Sequence, residues 1–136
     1  MKTTQKAYRK FYQNIGKLFY AIAAADKIVR NEELNALKTI VKAEWLANNN
    51  FDTEIEIIII DTFEWLHNDN EHDSETCFNS FMDYKNANEH EFTAQIKGLI
   101  LKTAGKIASS FSGENKSELI MLANLSIEFK KPFDEK

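Results

Sequence analysis

Apolar residues recur at helical spacing along most of the chain. Tyr8, Phe11, Tyr12, Ile15, Leu18, Phe19 and Ile22 follow the i, i+3, i+4, i+7 rule, with Arg9, Gln13 and Lys17 on the other side. The spacing predicts a first amphipathic helix. Gly16 inside it costs about 1 kcal/mol relative to Ala, so its presence predicts close approach by a neighbouring helix. A turn follows. Asn31 is placed to cap a second helix with Glu32 and Glu33 in its first turn, and Leu34, Leu37, Val41 and Trp45 continue one stripe.

The stretch from Thr53 to Leu66 carries two signals. Four consecutive β-branched residues, Ile57 to Ile60, would suit a buried strand. Yet Ile55, Ile58, Ile59, Thr62, Phe63 and Leu66 form a helical stripe, and Ile57 and Ile60 widen it. The run is too long for an ordinary strand and no partner strand is visible. It reads as a central helix buried on more than one side. The polar connection from His67 to Asp73 comes next, then a shorter helix capped by Asp73 or Ser74 and carrying Cys77, Phe78, Phe81 and Met82.

Asn88 and Glu91 have the spacing of a capping box, which would open a long helix with Phe92, Ile96, Leu99, Ile100, Thr103 and Ile107 on its inner face. Asn115 and Glu118 repeat the arrangement ahead of Leu119, Leu122, Ala123 and Phe129, and Pro132 ends the pattern. The expectation is all-α: a single-domain bundle of about six helices.

Composition sharpens this picture. The chain has 136 residues, 43% hydrophobic and 12% aromatic, with four Gly and one Pro. That is one domain with ample core material, too short of turn residues for an all-β fold. The single cysteine excludes an internal disulfide. No window reaches the length of a membrane span, and the expected setting is the cytoplasm.

Charge is unevenly spread. Between Ala43 and Tyr84 there are eleven carboxylates and no Lys or Arg, while the flanks are basic. Either the flanks fold over the acidic middle and neutralise it, or the surface has two faces of opposite sign. A pI near 5.4 argues against nucleic acid. Tyr20, Trp65 and Tyr84 fall off the main stripes and suggest an adhesive surface.

Candidate chemistry is sparse. Asp26 and Glu33 flank the first turn, and two carboxylates with turn carbonyls could supply part of a hard-cation shell, although the turn lacks the acids and the Gly of an EF-hand loop. The alternative is that both acids serve only the turn and the helix start. His67, Asp69, His72 and Asp73 are four potential transition-metal ligands within seven residues. Their spacing matches no established site, and such clusters are common in surface loops. Cys77 falls on an apolar stripe and reads as core. Ser109, Ser110 and Ser112 have no identifiable base, and no Gly-rich phosphate loop occurs.

An internal echo joins the two ends of the chain. Ile22-Ala23, Glu33-Leu34 and Leu37 recur 85 residues later as Ile107-Ala108, Glu118-Leu119 and Leu122. Two weakly similar helix-turn-helix corners are therefore expected. Ala23-Ala24-Ala25-Asp26, then Ile28-Val29, Glu32-Glu33-Leu34 and Leu37, resembles the first signature of the tellurite-resistance TerB-like domains. That family includes the N-terminal domain of a DnaJ-type co-chaperone.

The resemblance implies an all-helical fold with two such corners and divalent-cation binding of the Ca²⁺ kind in stress-associated systems, in a family with no established enzyme activity. Asp26 and Glu33 match the acids of the first corner, and Glu118 matches that of the second. Lys27 stands where the family has Gly, and Phe111 replaces the second Asp. Three functions follow as expectations. They are a non-enzymatic binding module working by protein contacts and modulated by a cation, a metal-dependent enzyme using the His67–Asp73 loop, or an ion-free helical adaptor.

Overall fold

The computed structural model describes residues 2–24, 31–46, 53–69, 73–111 and 116–130. Six α-helices occupy them: α1 (Lys2–Ala23), α2 (Asn31–Leu46), α3 (Thr53–Asp69), α4 (Ser74–Ala87), α5 (Ala94–Phe111) and α6 (Lys116–Lys130). A short 3₁₀ turn, Glu89–Glu91, precedes α5, and no strand occurs among the described residues. The isoleucine run is helical throughout, since Ile55, Ile58, Ile59, Phe63 and Leu66 all turn into the core from one side of α3.

The central helix is α1, not α3. α1 packs against α3, α4 and α5, and more lightly against α6, whereas α3 touches only α1 and α2 extensively. Phe11, Ile15, Leu18, Phe19, Ala21, Ile22 and Ala23 are all buried, leaving Gln13 and Lys17 as the half-exposed positions of that stretch. α3 keeps an open side because Ile57 shares it with Glu54, Asp61 and Glu64, and Ile57 is 49% exposed. Of the expected second flank, Ile57 is therefore solvated, while Ile60 is half-buried against the core.

Gly16 shows why α1 and α3 lie so close. A Cβ there would stand 3.0 Å from the Thr62 Cβ and 3.1 Å from the Ile59 carbonyl oxygen. Such contacts are tighter than a side chain tolerates without movement. α3 runs parallel to α1, with Gly16 beside Thr62 and Tyr20 beside His67. α4 runs antiparallel to it: Ser74 donates to the Ala21 carbonyl at 2.7 Å, and the tilted rings of Phe11 and Tyr84 meet further down.

α2 spans from α3 to α5. Trp45 anchors it, buried, with ring contacts to Tyr12 and Phe19 and its indole N–H donating to Thr103 Oγ1 at 3.0 Å. Thr103 Oγ1 in turn donates to the Leu99 carbonyl, so the buried polar atoms are satisfied within the core. The backbones of α5 and α6 come close, while α1 and α2 meet through side chains such as Trp45 rather than by close backbone approach. The helix pairs at the two echoed corners are thus packed differently, and the turns themselves lie outside the described residues.

The helix ends differ from expectation in one place. Asp73 caps α4 by accepting from the Thr76 N–H at 2.7 Å. Asn88 does not open α5; its amide donates to the Tyr84 carbonyl at the end of α4. Thr93 caps α5 instead, accepting from the Ile96 N–H at 3.2 Å. The shift follows from Phe92, which is buried among Phe11, Phe81, Tyr84 and Phe129 and fixes the chain before the helix begins. In α6, Leu125 and Phe129 face the core, Leu122 is half-buried and Ala123 is exposed, so the inner stripe excludes Ala123.

Candidate binding groove

The acids of the first corner meet the structure unequally. Glu33 is half-buried in the first turn of α2, where the helix dipole favours it, and Asp26 lies outside the described residues. Glu118 falls in the first turn of α6, with its side chain outside those described. The neighbourhood of Glu33 carries a polar link that the sequence did not reveal. His67 Nε2 lies 3.1 Å from Asn31 Oδ1, and His67 Nδ1 lies 3.4 Å from the Tyr20 hydroxyl. A neutral ring protonated at Nε2 satisfies both, donating to Asn31 and accepting from Tyr20. Three helices are tied by that one imidazole.

This arrangement bears on the second cluster. His67 directs its nitrogens to Asn31 and Tyr20, and Asp73 directs an oxygen to its own helix N-terminus. The Asp69 side chain and His72 lie outside the described residues. Among the described residues, no three His, Cys, Asp or Glu side chains converge to hold a metal ion.

Cys77 is core, as its stripe predicts. Burial pushes its thiol up, Lys17 opposes this, and Asp73 adds to it, so the group is a poor thiolate at neutral pH. Tyr20 is buried rather than on the surface, and burial raises its hydroxyl. Tyr84 is half-buried, pushed up to about 12 by burial first and by the nearby Glu91 carboxylate second. Of the three aromatics expected at the surface, only Trp65 is there, 52% exposed.

Trp65 stands at the rim of a groove between α1 and α3. Arg9, Gln13 and Lys17 form one wall, spaced one turn apart along α1; Ile58, Asp61, Thr62 and Trp65 form the other. The space between is about 430 Å³. It exists because α3 and α4 both pack on α1 but make no extensive contact with each other, leaving the polar stripe of α1 uncovered. Lys17 reaches across to Ser80 on α4, its Nζ 3.4 Å from the hydroxyl oxygen. Among the described residues, neither Arg9 nor Asp61 has an ionic partner.

Elsewhere the basic flanks close over the acidic middle: Lys38 pairs with Glu64, Lys42 lies 3.9 Å from Glu56, and Lys102 and Lys106 both reach Glu44. The sequence had marked Arg9, Gln13, Lys17 and Trp65 as off-core positions. It held no signal that α3 would lie parallel to α1 and set Asp61 across from them.

No helix among the described residues is long and apolar enough to cross a membrane. No protein-family model, curated protein or solved structure matches the chain.

Proposed function

We propose that the chain is a non-enzymatic helical binding module of the TerB-like kind, working by protein contacts through the α1–α3 groove. The carrying observation is the groove's chemistry: a half-exposed Trp65 beside the unmatched charges of Arg9 and Asp61. Exposed Trp and Arg are the residue types that dominate binding energy at protein interfaces. Ionic pairs satisfy many charges elsewhere on the surface, so these two are available to a partner.

A divalent cation held by Asp26 and Glu33 modulates the module in this reading, since oxygen ligands at a tight turn suit hard cations. The tellurite-resistance and stress association belongs to the same proposal and rests on the resemblance of the first corner.

Affinity capture with wild type and with Trp65→Ala tests the groove. The variant should lose specific partners while keeping the helical circular dichroism of wild type. Identical partners for both would remove the groove from the function. Calorimetry with Ca²⁺ and Mg²⁺ on wild type and Asp26→Ala tests the cation, and equal heats for the two proteins would remove it.

A further inference from the structure

We infer that the occupant of the α1–α3 groove is the same face of a second copy of this chain; the inference rests on the reading of that groove as a contact surface. Charge singles out this occupant. The face carries a cation on α1, Arg9, and an anion on α3, Asp61, and among the described residues neither is neutralised within the chain. A twofold axis passing between them sets Arg9 of each copy against Asp61 of the other, so both charges are paired twice over by one operation. Twofold pairing of this kind is the commonest way that soluble chains associate.

A uniformly acidic partner would satisfy Arg9 but press a like charge on Asp61, and a uniformly basic partner would do the reverse. Covering an unmatched charge is costly, and like-charge contacts reject wrong partners. The face's own pattern fits without either penalty.

The apolar content suits the same geometry. Ile57 and Trp65 lie one turn before and one turn after Asp61 on α3, 49% and 52% exposed. In the pair they flank each Asp61–Arg9 contact and exclude water from it, as near-neutral contacts do around the energetic centre of an interface. Lys17 Nζ lies toward α4, 3.4 Å from the Ser80 hydroxyl oxygen, and remains a cation on the same face.

Sedimentation velocity over a concentration series reads the outcome. Wild type should move from monomer to dimer as concentration rises. Arg9→Asp and Asp61→Arg, both at exposed positions, should each weaken self-association by roughly tenfold or more. The decisive measurement mixes the two variants. One then presents two acids and the other two arginines, so an equimolar mixture should form the heterodimer that neither makes alone. The double variant Arg9→Asp/Asp61→Arg should also dimerise, because the swap keeps both pairs.

A wild type that stays monomeric at all concentrations overturns the inference, as does a dimer indifferent to both single variants or a mixture that fails to associate. If wild type is monomeric while Trp65→Ala still loses its captured partners, the groove binds a different protein and only the second copy is wrong. If neither self-association nor capture responds to Trp65, Arg9 or Asp61, the binding reading itself falls.

Discussion

Lys85 is the side chain whose placement departs furthest from its chemistry. Only 1% of it is exposed, yet its ammonium lies 2.9 Å from Glu89 Oε2, 3.1 Å from the Glu128 carbonyl oxygen and 5.9 Å from the centre of the Phe129 ring. It joins the end of α4 to the end of α6, and its methylene stem fills core space. Replacing it by Ala removes both packing and charge, and should cost about 3 kcal/mol in urea denaturation. Lys85→Met keeps the stem and should cost less than half as much; equal losses would show that the charge alone matters. The sequence offered the Lys85–Glu89 spacing, which is ordinary on a solvated face. It could not offer Glu128 or Phe129, because a contact over that chain separation follows only from the packing of α6. Gly16 was legible for the opposite reason: an energetically poor residue inside a strong helix has few explanations besides a close neighbour.

At the level of elements, helix identity was readable and helix starts were only partly so. The apolar stripes of α1 to α5 are long enough to overrule local preference, which is why four successive isoleucine positions became helix. A start depends on a few local hydrogen bonds, and two candidate signals can compete within a few residues. Of the two caps open to α4, Asp73 and Ser74, the structure uses Asp73, whereas the Asn88 and Glu91 spacing lost to Thr93, since Phe92 had to reach the aromatic cluster first. Glu91 is placed instead near the Tyr84 hydroxyl, at 3.4 Å. Asp73→Ala and Thr93→Ala should therefore each lower stability by about 1 kcal/mol. Glu91→Ala should cost clearly less than either. Thermal unfolding of the three variants checks this, and a larger loss from Glu91→Ala would restore the capping-box reading.

For the whole molecule, the alternation of charge along the chain foreshadowed the closing of basic flanks over the acidic middle. The clearest instance is Glu44 on α2, held between Lys106 at 2.7 Å and Lys102 at 3.6 Å on α5. The hydrogen bond from Lys106 keeps its carboxyl below the usual range; burial works against this, and the charges of Lys106 and Lys102 add to the lowering. A carboxyl depressed in the folded state contributes stability that is complete above its unfolded value, near 4.5, and is lost as pH falls through the folded value. Glu44→Gln should thus be less stable than wild type at neutral pH and should lose less on acidification below that point. Parallel stability curves would mean that the clamp contributes nothing. The groove was not foreseen, because its two walls come from helices whose relative direction no periodicity encodes.

The central position of α1 has a consequence for synthesis. It leaves the ribosome before any of the helices that cover it, and its wall of Phe11, Ile15, Leu18 and Phe19 waits for α3, α4 and α5. At roughly 5–20 residues per second, the 70 residues between α1 and α5 take several seconds to follow. Through that interval the nascent chain presents a long greasy rod to the cell, and holding chaperones would find their target there first.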